Sequence, residues 1–125
     1  KTSGNIINIG SIYGVVSPDP KIYSNYPINP LTYSISKSGI IQYTKYAAVS
    51  LAKYGIRVNC ISPGPFPNEK VQKNIKFINN LKDKIPLNNI GKPKDIGELV
   101  VFLASNNSKF LTGQNIIIDG GWTSV

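Results

Sequence analysis

Tyr33 and Lys37 stand four positions apart in the stretch TYSISKSG, residues 32–39. On a helix that spacing puts both side chains on one face, whereas a spacing of two would send them to opposite sides. A tyrosine hydroxyl ordinarily holds its proton up to about pH 10, too tightly for efficient acid/base work near neutrality. A lysine cation one turn away favours the phenolate and eases that transfer. Ser11, which with Gly10 follows the apolar run Asn5-Ile-Ile-Asn-Ile9, adds a hydroxyl donor that can steady an oxygen as charge develops on it. The three groups together suit passage of a proton to or from a carbonyl or alcohol oxygen while a cofactor supplies the hydride. A lone Tyr/Lys pair is more commonly just a wet helix start, so the elements around it decide its meaning.

Those elements are legible. Asn5–Ile9 reads as a short buried strand, because it is β-branched and bounded by Gly4 and Gly10. A loop dense in turn formers follows, through Ser17-Pro-Asp-Pro20 and Tyr26-Pro-Ile-Asn-Pro30. From Leu31 to about Tyr54 the pattern is helical, with Ile40, Ile41, Tyr43, Thr44, Ala47, Ala48, Leu51 and Ala52 on one face and Gly55 as the C-cap. Ile56–Ile61 is a second buried strand, ended by Ser62-Pro-Gly-Pro-Phe-Pro67. An amphipathic polar region, Asn68 to Lys84, precedes a helix opened by Gly91-Lys-Pro-Lys-Asp95, with Ile96, Leu99, Val100 and Leu103 as its apolar face. Asn115–Asp119 is a third strand, closed by Gly120-Gly121. Continuous apolar strands separated by helices predict an α/β fold with a parallel sheet covered on both faces. Ligands of such sheets bind beyond the carboxyl ends of the strands, the rim to which Ser11, Tyr33, Lys37 and Pro63-Gly64 all belong.

With 125 residues the chain forms at most one domain. The absence of methionine and the strand-like opening suggest a piece of a longer protein. Histidine is also absent and Cys60 is the lone cysteine, which excludes the usual zinc sites and any Ser-His or Cys-His nucleophile. Cys60 sits in an apolar run and reads as a buried structural thiol. No signal segment or bilayer-length run is present, so the expected location is cytoplasmic. The net charge of +8 comes from dispersed lysines with Arg57 as the single arginine. Nucleic-acid reading favours arginine and clustered charge, so neither a nucleic acid nor a membrane is an expected partner.

Taken in order along the chain, these motifs resemble the C-terminal, catalytic half of a short-chain dehydrogenase/reductase. NIINIGSIYG resembles the strand that carries the family's active-site serine, here Ser11, and YSISK resembles its Tyr-x-x-x-Lys, here Tyr33 and Lys37. IRVNCISPGPF resembles the strand and Pro-Gly turn beside the nicotinamide, and GKPKDIGELVVFLASNNSKFLTGQNIIIDGGW resembles the closing helix, strand and Gly-Gly end. The resemblance implies half of a Rossmann-like doubly wound sheet and NAD(P)-dependent interconversion of a carbonyl and an alcohol. Ser11, Tyr33 and Lys37 would be catalytic, with Tyr33 the acid/base and Lys37 also holding the nicotinamide ribose. Gly10, Tyr33, Lys37, Pro63, Gly64 and Phe66 would meet the cofactor, NAD or NADP, and Ser11 and Tyr13 the substrate; no metal is implied. The helix from Leu31 to Tyr54 would join subunits of a homodimer or homotetramer. A non-catalytic binding or regulatory module on the same fold is the alternative. The loop SIYGVVSPD further resembles members associated with surface-sugar and flagellin-modification pathways.

The chain also departs from the family pattern. The glycine-rich phosphate loop, the residue that selects NAD or NADP and the Asn-Ala-Gly strand would all precede Lys1, so the piece alone should bind cofactor poorly and be inactive. Ser11 and Tyr33 are 22 positions apart, a wider gap than most members have, which leaves Ser17 and Ser24 as rival serines. Ser11 is preferred because a strand end fixes its hydroxyl best. The extra segment, Val15 to Leu31, carries Tyr23, Tyr26 and four prolines, and reads either as a stiff aromatic flap over the substrate or as a variable surface loop. After Pro63-Gly64 the threonine that many members place against the carboxamide is replaced by Pro65-Phe-Pro67, which leaves backbone contacts. Asn68 to Lys84 corresponds to the substrate lid, with Phe66, Phe77 and Ile78 as apolar contacts, although core packing accounts for Phe77 equally well.

Overall fold

The computed structural model describes residues 3–125. Three strands, β1 (Gly4–Ile9), β2 (Ile56–Pro63) and β3 (Asn115–Ile118), form one parallel sheet in the order β1-β2-β3. Between β1 and β2 runs α1 (Leu31–Leu51), which ends in a 3-10 turn at Ala52–Tyr54. Between β2 and β3 come α2 (Glu69–Gln72), α3 (Ile75–Lys84) and α4 (Pro93–Ala104). Register pairs Ile9 with Ile61, and Pro63 with Ile118, so all three strands end at one rim.

The period of two along β2 divides the packing. Val58 faces α1, where it meets Ala47 and Ala48, both buried; their small side chains bring the helix close to the sheet. On the other face the Arg57 guanidinium donates to the carbonyls of Leu103, Ser105 and Leu111, and so satisfies groups that α4 leaves open at its C-terminus. Leu103 has no exposed surface, a burial that contributes on the order of 2 kcal/mol. Helices therefore cover both faces, as the unbroken apolar strands require. Cys60 is buried, and burial pushes its thiol pKa up.

Several details differ from the sequence reading. β2 runs two residues beyond Ile61, because Ser62 and Pro63 still pair with Ile117 and Ile118. β3 stops at Ile118, and Asp119 instead turns the chain. Tyr43 and Ala52 are exposed, off the buried face of α1, which centres on Thr44, Ala47 and Ala48. The polar region resolves into two helices, each started by an asparagine: Asn68 caps Val71 N–H and Asn74 caps Phe77 N–H. Gly55 closes the first crossover in a left-handed conformation, φ 72°, the geometry that glycine adopts without strain.

The turn after β3 is held by one carboxylate. Asp119 accepts from the N–H groups of Gly121 and Thr123 and from the Thr123 hydroxyl. Partial burial works against its charge, but the hydrogen bonds from Thr123 and Gly121 together outweigh it and hold the carboxyl below its ordinary pKa. A depressed carboxylate adds stability above its unfolded value, near ~3.9, and that stability is lost as pH falls through the lower folded value. Asp119→Asn in the whole protein is therefore expected to lower Tm at pH 7, and the gap from wild type should close below about pH 4. A gap unchanged down to the acid transition would show that the charge contributes nothing.

Candidate active site

Ser11 leaves β1 with extended backbone and starts a 3-10 turn, Ile12–Gly14. Its Oγ accepts the Tyr13 N–H at 3.1 Å, which fixes the side chain and leaves the hydroxyl proton free to donate. The turn is seated directly on α1. A Cβ on Gly14 would come within 2.8 Å of the Lys37 backbone carbon and of Ile41 Cδ1. The Ser38 hydroxyl donates to the Gly14 carbonyl at 2.9 Å. Glycine at position 14 thus brings the serine turn against the part of the helix that carries Tyr33 and Lys37.

Lys37 Nζ donates to the Ile9 carbonyl at 3.0 Å, which ties the ammonium to the end of β1 two residues before Ser11. The same ammonium lies 5.6 Å from the centroid of the Tyr33 ring, within reach of a cation–π attraction. One of the three ammonium donors is used by Ile9, so two remain for a ligand.

The end of β2 approaches β3 closely at the same rim. A Cβ on Gly64 would lie 2.7 Å from both Cα and Cβ of Asp119, so only glycine lets the two strand ends converge there. Phe66 folds its ring over Gly91, where even a methyl group would collide with it. Pro65 and Phe66 line both the first cavity and a second one, of about 330 Å³, that reaches Ile118 and Asp119.

The first cavity, of about 200 Å³, opens at this rim between the serine turn, the 15–31 segment, the Pro-Gly turn and α3. Ser11, Tyr13, Tyr33, Gly64 and Phe66 line it. Gly10, Lys37 and Pro63 do not line it. Gly10 is packed against Ser62 and Cys60, where a Cβ would lie 2.6 Å from Ser62 Oγ. Of the three candidate serines, Ser11 lines the cavity, while Ser17 and Ser24 are exposed. Ile78 is not a cavity residue: it is buried in the core cluster with Leu81, Ile85 and Trp122. Phe77 belongs to that core and to the cavity wall at once.

The extra segment is anchored, not loose. Ile22 is buried in the core cluster, and Asn80 donates to its carbonyl. Tyr26 stacks on Phe77 at 4.4 Å with the rings 13° apart, and Tyr23 meets the same ring tilted at 5.4 Å. Tyr23 also shares a hydrogen bond of 2.5 Å with Tyr13, hydroxyl to hydroxyl. The aromatic content of the segment leaves it open in the sequence between a flap and a surface loop, and nothing local in the sequence pairs Tyr13 with Tyr23. Among the described residues no three His, Cys, Asp or Glu side chains come together as a metal site, and no helix is long and apolar enough to cross a membrane.

Comparison with known proteins gives a consistent picture. Residues 1–123 match the family described as enoyl-(acyl carrier protein) reductase. A 3-oxoacyl-(acyl-carrier-protein) reductase from Rickettsia prowazekii is 38% identical over 128 residues, covering 100% of this chain and 48% of that protein. The crystal structure of a short chain dehydrogenase from Leptospira borgpetersenii, with bound NAD+, matches at a TM-score of 0.85 and 48% identity, over 95% of this chain and 44% of that one. A gluconate 5-dehydrogenase from Burkholderia cenocepacia, in complex with NADP and tartrate, matches at a TM-score of 0.85 and 28% identity, over 98% and 46%. The chain thus spans about half the length of the proteins it resembles.

Proposed function

Since the chain belongs to the short-chain dehydrogenase/reductase family, we propose that it is the catalytic part of an NAD(P)-dependent oxidoreductase that interconverts a carbonyl and an alcohol, with Tyr33 as acid/base. The observation that carries the reading is the meeting of three groups at one rim. Ser11 and Tyr33 line the same cavity, and the Lys37 ammonium is held against the Tyr33 ring by the Ile9 carbonyl.

In the reducing direction the substrate carbonyl lies against Ser11 and Tyr33. Ser11, whose Oγ is fixed by accepting the Tyr13 N–H, donates a hydrogen bond to the carbonyl oxygen, keeping its proton, and steadies the charge that grows there. The chemistry that a bound nicotinamide cofactor supplies is the hydride delivered to the carbonyl carbon. Tyr33 gives its hydroxyl proton to the oxygen, and Lys37 keeps a positive charge beside Tyr33 while that proton is away. Oxidation runs through the same atoms in reverse.

The donor set fits a nicotinamide riboside. Two free ammonium donors on Lys37, with the Tyr33 hydroxyl, suit the hydroxyls of a ribose. Gly10, Pro63, Gly64 and Phe66 would form the wall beside the flat ring, where Gly64 lets the end of β2 close on Asp119. Structural neighbours described with NAD+ and with NADP support either cofactor. The phosphate-binding glycines and the residue that chooses between the two belong, in this reading, to a nucleotide-binding part outside these 125 residues, without which the fragment is inactive. We place the enzyme in the cytoplasm, in keeping with its lone buried cysteine. It assembles as a homodimer or homotetramer through α1, whose outer stripe of Leu31, Ile35, Tyr46 and Val49 is exposed.

Ser11→Ala in the whole enzyme tests the site directly. Loss of one donor to a developing oxyanion is expected to lower kcat by about a hundredfold. The lost cap on Tyr13 N–H should cost only about 1 kcal/mol of stability. An unchanged kcat would remove Ser11 from the mechanism.

A further inference from the structure

The 15–31 segment does more than close the cavity, because it brings the Tyr23 hydroxyl to the Tyr13 hydroxyl at 2.5 Å, and both residues line the cavity that holds Ser11 and Tyr33. The rings are fixed. Tyr13 is 7% exposed, and Tyr23 is pinned by its tilted contact with Phe77, itself 4% exposed and stacked by Tyr26 on the same ring. Burial raises the pKa of both phenols, first by desolvation, so both are neutral near pH 7.

Two neutral hydroxyls bonded to each other have a definite residual capacity. One donates to the other, so the pair retains a single free proton, on the acceptor, and lone pairs on both oxygens. A third hydroxyl satisfies that pattern, since it can accept the free proton and donate back to a lone pair. A carboxylate only accepts, finds one donor where it needs several, and loses its hydration in a cavity whose lining residues are all uncharged.

We propose that the Tyr13–Tyr23 hydroxyl pair is a specificity-determining subsite that binds a hydroxyl group of an uncharged substrate, a hydroxyl other than the one that reacts at Ser11 and Tyr33, and that it selects against carboxylates. The subsite deepens the oxidoreductase reading, on which it rests for the reacting end of the substrate. It also gives the extra segment a purpose, because position 23 exists at this wall only through that segment.

The test reads binding, so that its failure is separate from a failure of turnover. The whole enzyme is titrated by ligand-observed NMR with cyclohexanol, with the three positional cyclohexanediols, and with 4-hydroxycyclohexanecarboxylate. Wild type is expected to bind the best diol about tenfold more tightly than cyclohexanol, with the carboxylate weakest, a ratio in keeping with one well-formed buried hydrogen-bonded contact. Tyr23→Phe, checked for an unchanged melting profile, should bring the diol to within about threefold of cyclohexanol, since the substrate hydroxyl can no longer accept from one oxygen of the pair while donating to the other. Tyr13→Phe, which removes the other hydroxyl, should do the same. A wild-type enzyme that binds no diol more tightly than cyclohexanol, or that prefers the carboxylate, would overturn the proposal. So would a diol preference that survives in Tyr23→Phe.

Discussion

In the whole enzyme, Tyr33→Phe is expected to lower turnover at least about a hundredfold, the scale on which a positioned general acid/base acts. The substitution removes one oxygen and little else. The ring still packs at the edge of the core cluster, and the Lys37 ammonium keeps its aromatic face and its bond to Ile9. Ser11 keeps its place, because its hydroxyl is fixed by Tyr13 N–H and not by Tyr33. Cofactor affinity should therefore fall only modestly, by the loss of one hydroxyl contact, while the step that moves a proton has lost its donor. Turnover within a few-fold of wild type would leave the cavity as a binding site and move the acid/base elsewhere.

The second large effect is expected at Lys37. Lys37→Met keeps the length of the stem and removes the charge, so the Ile9 carbonyl loses its partner and the Tyr33 ring its cation. Removal of a preorganised charge beside the reacting proton is expected to reduce kcat by about a hundredfold. The loss of donors for the ribose adds a rise in KM for the cofactor, which the Tyr33 variant should show far less. Lys37→Arg restores charge but not the compact ammonium geometry, and should recover only part of the loss. A Lys37→Met enzyme with ordinary kcat and ordinary cofactor KM would exclude both roles at once.

Much of this arrangement was legible in the sequence because it depends on local order. Each strand is a short apolar run, each strand end is marked by a glycine or proline, and Tyr33 and Lys37 are set by one helical turn. The boundary errors have a common cause. Ser62 and Pro63 look like loop residues, and only pairing with β3 keeps them in β2. Asp119 looks like the end of a strand, and only its bonds to Gly121 and Thr123 show that it begins a turn. Tyr43 and Ala52 fall near the apolar stripe of α1, yet the core that covers Ala47 and Ala48 does not extend to them.

Long-range contacts were the illegible part. Ser11 lines the cavity while Ser17 and Ser24 are exposed, and Gly14 lets the Ser11 turn sit on the Lys37 backbone, a close approach with no signature in the residues alone. The residues of Val15–Leu31 read equally as an aromatic flap and as a surface loop, and what anchors the segment is Tyr26 stacked on Phe77, 51 positions further along the chain. The Tyr13–Tyr23 bond is of the same kind, since it depends on how the segment folds back over the serine turn.

The most direct test follows a label. The whole protein is given NADH or NADPH carrying deuterium at both positions of nicotinamide C4, with a panel of small cyclic and acyclic ketones, and the products are weighed by mass spectrometry for wild type and Tyr33→Phe side by side. Deuterium should appear on the carbinol carbon with wild type, and its rate of appearance should fall at least about a hundredfold in Tyr33→Phe. Transfer at equal rates by both proteins would contradict the assignment of Tyr33. Absence of transfer to every ketone, by a wild-type protein that binds the cofactor, would contradict the oxidoreductase reading and favour a binding module on the same fold.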